Sequence, residues 1–434
     1  MCNTNRAPAT SVKPVFRLGK RAFYFMVFCF LAMVGCFTRA ASFFAAIFGI
    51  YYLGIPQFYG CVDHYHHNIW FMFILSASRC SDVLSIDAIG KSFREADRGQ
   101  RPEIRSSVEY ALPLRFIWLL LGVVYFFPGF WKLSAPGWAW SDNLKYRLYY
   151  QWFRYEDWLP FFRLDQYPIL YKMASFGAMI FEVSFVFLIL VPALRPIAIM
   201  GGVLFHSMRK LFLDLNFSTL VFCCIFLINW AALLATVGRW VFKEPFQVSY
   251  NGKSKAYRWM IVVLTKFDIF QRVVFIDGQI QEKSTKASVA QNQLLMFIGV
   301  ALVLINCVFG FRKTEWGWPF TCYPTFSHIM EKAELKTLTP YGVAENKEEL
   351  ISFDFLRTRR LRHFKVTGML KTISEISDEN RQLKKLKALA ALMKAEIDLK
   401  KYSKIRFYKT TYSTELGKIN NPPISKELLA EIDM

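Results

Sequence analysis

Apolar residues in this chain gather in long runs separated by short polar joints, with little of the two-residue alternation of a half-buried strand. Runs near the ~20 residues that a helix needs to cross a bilayer occupy Arg21–Phe37, Ala40–Tyr59, Asn68–Ile86, Pro113–Trp131, Ile169–Pro192, Ile197–Met208, Phe217–Val237 and Gln293–Phe311. The pattern predicts eight crossings and an all-α polytopic membrane protein. Lys13, Arg17 and Lys20 precede the first run in the manner of a signal peptide. No small-residue cleavage site follows it, however, and the next run begins directly after Thr38 and Arg39, so a retained helical hairpin is the reading.

The joints divide the chain further. A mixed-charge loop spans Asp87–Leu112. An aromatic loop spans Leu133–Pro168, where Trp138, Trp140, Trp152 and Trp158 suit a bilayer interface because each ring keeps one wet edge. Segment Trp240–Ala290 reads as a small α/β insertion: strand Phe246–Tyr250, turn Asn251–Gly252, helix Lys255–Phe267, strand Arg272–Ile276. The predicted order is a basic arm over residues 1–20, a transmembrane core over 21–239, the insertion over 240–290, a last transmembrane helix over 291–311 and an extramembrane α+β domain over 312–434. That last domain should hold an amphipathic helix across Asp378–Lys401 and a strand at Lys404–Tyr412.

Composition strengthens this picture. The chain is 54% hydrophobic and 17% aromatic, with mean hydropathy +0.24, which excludes an ordinary soluble domain. A net charge of +21 would suggest nucleic acid in a soluble protein. Its distribution argues otherwise. Of 54 basic and 33 acidic residues, 23 and 16 lie beyond Phe311 in a mixed-charge tail, and the rest of the excess sits in loops suited to anionic headgroups. No nucleic-acid-binding module is recognisable. The nine cysteines include no Cys-x-x-Cys pair, and a Cys61–Cys322 bridge is compatible with span counting, which puts both on one face.

Against this apolar background, ionisable residues are expensive and mark candidate sites. His64, His66 and His67 stand between spans two and three, Lys132 ends span four, Glu182 lies near the middle of span five, and His206 lies in span six. An even number of crossings returns a chain to the same side, so the His cluster, Lys132 and His206 share one face with the tail. Each residue also has a plainer reading. The His cluster could be an interfacial turn, Lys132 could snorkel to headgroups, His206 with Arg209 and Lys210 could form a headgroup-contacting turn, and Glu182 could bond a neighbouring helix. A metal site is disfavoured, because His-x-His-His lacks a ligand spacing and no carboxylates accompany it.

Three stretches carry a resemblance to a known family: His67-Asn68-Ile69-Trp70 with Ser85-Ile86-Asp87, Tyr125 through Leu133 closed by Trp138, and Phe205-His206-Ser207-Met208 continuing to Phe217. Over roughly Ala40–Trp240 they resemble the HTTM family of membrane proteins, which includes the vitamin K-dependent γ-glutamyl carboxylases. The resemblance implies Lys132 as the catalytic lysine and His67, His206, Glu182 and His66 as cofactor-binding residues. The implied cofactor is reduced vitamin K or another isoprenoid hydroquinone. In that chemistry a neutral lysine deprotonates the quinol, oxygen adds, and the strong base so formed takes a γ-proton from glutamate before CO2 is captured. Phe126, Phe127, Phe130 and Trp131 beside Lys132 would exclude water and favour its neutral form, His67 and His206 could hydrogen-bond the quinol oxygens, and an apolar chamber would admit the quinone from the bilayer.

Val248–Gly278 is similar to the DCC thiol-disulfide oxidoreductase module that accompanies some HTTM proteins. Ser254 and Tyr257 stand at its two cysteine positions, which implies a structural segment without dithiol chemistry. The expectation is therefore carboxylase-like or quinol-epoxidase-like activity on a protein or small acid, with membrane lipid, the quinol and a protein held by the C-terminal domain as partners. The rival is a non-catalytic membrane scaffold that keeps the same fold; a transporter ranks lower, as no paired broken helices mark a midplane site. The basic loops Thr38–Arg39 and Asp87–Leu112 place the site and tail on the non-cytoplasmic face, while the N-terminal Lys13, Arg17, Lys20 and Arg21 count the other way.

Overall fold

The computed structural model describes residues 12–58, 65–82, 85–97, 110–154, 159–230, 233, 286–314, 317–320, 326–344, 347–353, 363–418 and 421–434. Helices α1 (Val12–Val34) and α2 (Thr38–Gly54) form an antiparallel pair, followed by α3 (His66–Ala77), α4 (Ile86–Asp97), α5 (Ala111–Leu133), α6 (Asn143–Arg154), α7 (Pro168–Leu190), α8 (Arg195–Leu213), α9 (Ser218–Cys223) and α10 (Lys286–Phe311). Pro168 and Pro196 stand in the first turns of α7 and α8, where a missing N–H costs nothing. Asp214, with φ 48°, ends α8 in a left-handed cap.

Helices α5, α7 and α10 are long and apolar enough to cross a membrane. Their outer faces fit hydrocarbon better than water. Ile169 of α7 is 77% exposed, and Phe297 of α10, 73% exposed, begins a stripe that continues through Leu304 and Phe311 at seven-residue steps. The chain is thus a mostly helical membrane protein. Of the remaining predicted crossings, the third and the seventh coincide with short helices. The third, α3, has 12 residues and spans only about 18 Å, well short of the ~30 Å hydrocarbon core. It stops where Ser76 and Ser78 turn their hydroxyls back onto the carbonyls of Phe73 and Leu75, competing with continued helix. The seventh begins as α9 and tightens at once into a 3-10 turn over Cys224–Leu227.

The aromatic loop after α5 contains the amphipathic helix α6, and the mixed-charge loop contains α4; loop character was expected in both places. The 240–290 insertion up to Thr285, the Cys61–Cys322 pair, His64, Trp158 and the first 11 residues of the basic arm lie outside the described residues.

Buried Trp70, Phe71 and Ile74 of α3, Ile117, Leu120, Leu121 and Tyr125 of α5, Phe185 and Ile189 of α7 and Leu295 and Leu302 of α10 make one core. Three indole N–H groups tie its elements at one end. Trp318 donates to the carbonyl of Ile50 in α2 at 2.9 Å, Trp70 of α3 to that of Pro319 at 3.0 Å, and Trp131 of α5 to that of Gly310 in α10 at 2.9 Å. The C-terminal ends of α2, α5 and α10 and the N-terminal end of α3 therefore meet.

Beyond α10 the chain forms a four-stranded antiparallel sheet in the order β2-β1-β3-β4, from β1 (Glu334–Ala344), β2 (Lys347–Leu350), β3 (Lys404–Ser413) and β4 (Ser425–Asp433). Helices α11 (His363–Ser374) and α12 (Glu379–Glu396) cover one face, against Leu338, Ile405 and Phe407. The expected helix is α12, capped by the Asp378 carboxylate, which accepts from Arg381 N at 3.1 Å. The expected strand is β3. On the other face Glu348 accepts from Lys426 at 2.5 Å, Tyr408 at 2.6 Å and Arg406 at 3.0 Å. Tyr412 on that face meets Phe153 of α6 with ring centres 6.3 Å apart, joining the sheet to the helical part.

Candidate functional site

Two glycines set the spacing on which the site depends. A β-carbon at Gly129 would stand 2.7 Å from Val183 N and 2.8 Å from Glu182 Cβ, and one at Gly122 would stand 2.7 Å from Val186 Cγ2. Helices α5 and α7 therefore approach more closely than side chains would allow. One turn beyond Gly129, Lys132 Nζ reaches Glu182 Oε2 at 2.5 Å, with both side chains buried. The lysine does not snorkel, and its ammonium lies 5.3 Å from the ring centre of Trp138.

Tyr125 is seven residues before Lys132 and on the same face of α5. Its hydroxyl shares a 2.5 Å hydrogen bond with His206 Nε2 of α8, and its ring stacks on Phe185 of α7 at 4.1 Å. His206 lies against Phe205 and Phe217, with ring centres at 5.1 and 5.5 Å, and its Nδ1 meets no partner among the described residues. Arg209, one turn further along α8, turns inward; its guanidinium lies 4.2 Å from the ring centre of Phe217 and within electrostatic reach of Lys132 and His206. Lys210 instead pairs with Asp214 on the exposed side. The headgroup-contacting reading of this turn thus does not describe His206 or Arg209.

His66 and His67 open α3, 1% and 0% exposed, so an interfacial turn is not what they form. Their rings are nearly perpendicular, with centres 5.8 Å apart. His66 packs on Trp70 at 4.8 Å and His67 on Phe71 at 5.7 Å. Neither ring nitrogen of His67 has a hydrogen-bond partner among the described residues, an expensive state for a buried imidazole. The structure thus brings Lys132 together with Glu182, and His206 with Tyr125. The His66–His67 pair stands on α3, whose Phe71 shares one core with Tyr125.

Ser85 and Asp87 have capping roles. Ser85 Oγ accepts from Ala88 N at 2.9 Å at the start of α4. The Asp87 carboxylate accepts from Phe37 N, Thr38 N and Thr38 Oγ1 at 2.9, 2.8 and 2.8 Å, closing the N-terminus of α2. Burial alone would raise the Asp87 pKa, but these hydrogen bonds outweigh it and hold the pKa below its ordinary value. Among the described residues no three His, Cys, Asp or Glu side chains converge as metal ligands would.

Sequence reasoning assigned no role to Tyr125 or Arg147 and read the inward-facing Arg209 only as part of a headgroup-contacting turn. The seven-residue spacing of Tyr125 and Lys132 was a usable signal, since it puts both on one helix face. Arg147, in an amphipathic helix among other basic residues, gave none. Compared with protein families, with curated proteins and with solved structures, the chain matches none.

Proposed function

We propose that this chain is an HTTM-type membrane protein, related to the vitamin K-dependent carboxylases, that uses a reduced isoprenoid quinone to activate a protein or small-acid substrate for carboxylation. In this reading the eight apolar runs all lie in the membrane, and the end carrying Lys132 faces the non-cytoplasmic side with the sheet unit. The observation that carries the proposal is the buried Lys132–Glu182 pair, seven residues along one helix face from the Tyr125–His206 pair.

The unpartnered imidazole nitrogens fit such a cofactor. His67 Nδ1 and Nε2 and His206 Nδ1 are buried polar atoms in apolar surroundings, suited to hydrogen-bonding quinol oxygens, with His66 supporting the first ring edge-on. When bound, the reduced quinone with O2 supplies the base strength that removal of a γ-proton demands, and CO2 then traps the carbanion. Glu182 Oε2 accepts from Lys132 Nζ at 2.5 Å and so fixes the position of the lysine that would act as general base. Tyr125 fixes the orientation of His206 through its hydroxyl. Phe181, Phe185 and Phe205 around Tyr125 exclude water.

A Lys132→Ala variant should lose quinol oxidation, and full retention would refute the assignment of the base. The second reading, a non-catalytic scaffold whose C-terminal unit holds a partner, draws on the internal pairing of the same groups: Lys132 and His206 already meet Glu182 and Tyr125. Lipid extraction and mass spectrometry separate the two, since an enzyme of this type should carry quinone and a scaffold none in stoichiometric amount. Impermeant labelling of a cysteine engineered into the tail, in intact cells, tests the side.

A further inference from the structure

Trp138, the ring beside the Lys132 ammonium, is itself held by another part of the chain. Its indole N–H donates to the carbonyl of Phe326 at 2.7 Å. The same carbonyl accepts from Arg147 Nη2 at 3.3 Å, and that nitrogen also donates to the carbonyl of His328. Arg147 Nε donates to Asn143 Oδ1 at 3.0 Å, and this oxygen in turn accepts from Met330 N at 3.0 Å. One turn of α6, with Asn143 and Arg147 four residues apart, thus grips three backbone groups of the five-residue stretch Phe326–Met330. Ile329 of that stretch packs against Trp138, Ala139 and Met179, and the Phe326 ring lies 4.8 Å from the Arg147 guanidinium and 5.3 Å from that of Arg209.

Two features distinguish this from ordinary packing. Phe326 has φ 61°, a left-handed conformation that costs a non-glycine residue roughly 1–2 kcal/mol and is held only where surrounding contacts fix it. Arg147 is a 5% exposed cation whose described hydrogen bonds go to neutral oxygens and to no carboxylate. A buried charge satisfied only by carbonyls is destabilising if those carbonyls leave. The stretch and its arginine therefore hold each other in place.

We infer that Phe326–Met330 is a strap that shuts the Lys132–Glu182 site at the Trp138 side, with Arg147 as its latch and Arg147 and Trp138 as positioning residues for Lys132. The strap runs within four residues into β1, so the sheet unit is mechanically continuous with the closure. The inference rests on Lys132 being the working group, but access to the amine is measurable without turnover.

The test is labelling of the purified full chain with a small amine reagent, read at Lys132 by peptide mass spectrometry, with exposed Lys210 as reference. Wild type should label at Lys132 slowly. Arg147→Gln should raise that labelling tenfold or more while Lys210 is unchanged and buried Cys223 and Cys224 stay unreactive to a maleimide. Arg147→Lys, which keeps a charged donor, should restore part of the protection. Trp138→Phe, which removes the indole N–H to the strap and keeps a smaller aromatic ring, should also raise labelling, and it carries the test if Arg147→Gln does not fold. Unchanged Lys132 labelling in these variants, or labelling that rises only together with Cys223 and Cys224, overturns the inference. Loss of quinol oxidation in Lys132→Ala is a separate outcome: a strap without catalysis would keep the labelling pattern and show no turnover.

Discussion

Lys132 and Glu182 stand fifty positions apart in the chain and 2.5 Å apart in the fold, buried between two helices long and apolar enough to cross a membrane. Two opposite charges in such surroundings are tolerable only together. Lys132→Met alone should therefore cost about 3–5 kcal/mol by leaving Glu182 uncompensated, whereas Lys132→Met with Glu182→Leu should recover most of that loss. Thermal unfolding in detergent for the two singles and the double measures this, and additive losses would show that the pair is not coupled.

Gly129 is the position from which that pair is most easily disrupted. Gly129→Leu places a side chain where Val183 N and Glu182 Cβ already stand within 3 Å of any β-carbon, so α5 and α7 must separate. The expected result is a loss of stability of about 1–3 kcal/mol or more together with loss of the proposed quinol oxidation. Gly177→Ala, where a β-carbon meets nothing within 4 Å, should be neutral in the same assays.

Tyr125→Phe removes one hydroxyl and leaves His206 Nε2 buried without its partner. A cost of about 1–3 kcal/mol is expected. In a double-mutant cycle with His206→Leu, the second change should cost markedly less once the first is present. An additive cycle would mean that the 2.5 Å contact contributes nothing.

Asp87 gives a pH dependence with a defined sign. Its folded-state pKa lies below the ordinary carboxylate value, so its stabilisation is fully present above the unfolded value of about 4 and disappears as pH falls through the folded one. The difference in melting temperature between wild type and Asp87→Ala should be constant from neutrality to about pH 5 and shrink below about pH 4. A difference that grows on acidification would contradict the capping role.

In the sheet unit Glu348 follows the same rule. Burial raises its pKa, but hydrogen bonds from Lys426, Tyr408 and Arg406 more than reverse this and hold it down to about 2. Glu348→Gln should lower stability at neutral pH and converge with wild type in acid. Circular dichroism of the full chain across pH 7 to 2 would record this.

The apolar runs made α5, α7 and α10 legible because each is a continuous stretch near the required length, and the expense of charge in those runs pointed to Lys132, Glu182 and His206. The length of α3 was not legible, since Ser76 and Ser78 look like tolerable polar residues in an apolar run until their hydroxyls are seen bonding back to the helix. Arg209 was read with Lys210 as one basic turn, yet adjacent helical residues point about 100° apart, and only tertiary packing decides which of them faces Phe217. The strap had no signal at all: left-handed Phe326 has no preferred residue type to betray it, and its partners on α6 precede it by about 180 residues. Asp87 was noticed for a family-like motif, and its observed contacts are those of a helix cap.

The glycine seam also constrains how the molecule can move. Gly122 and Gly129 let α5 and α7 interlock along two turns, so neither helix can slide without collision, and Lys132 and Glu182 must move together. Opening around Lys132 must then come from the elements packed on that pair, among them α8, α10 and the Phe326–Met330 stretch. Movement at the site is thereby displaced from the Lys132–Glu182 contact to the elements around it.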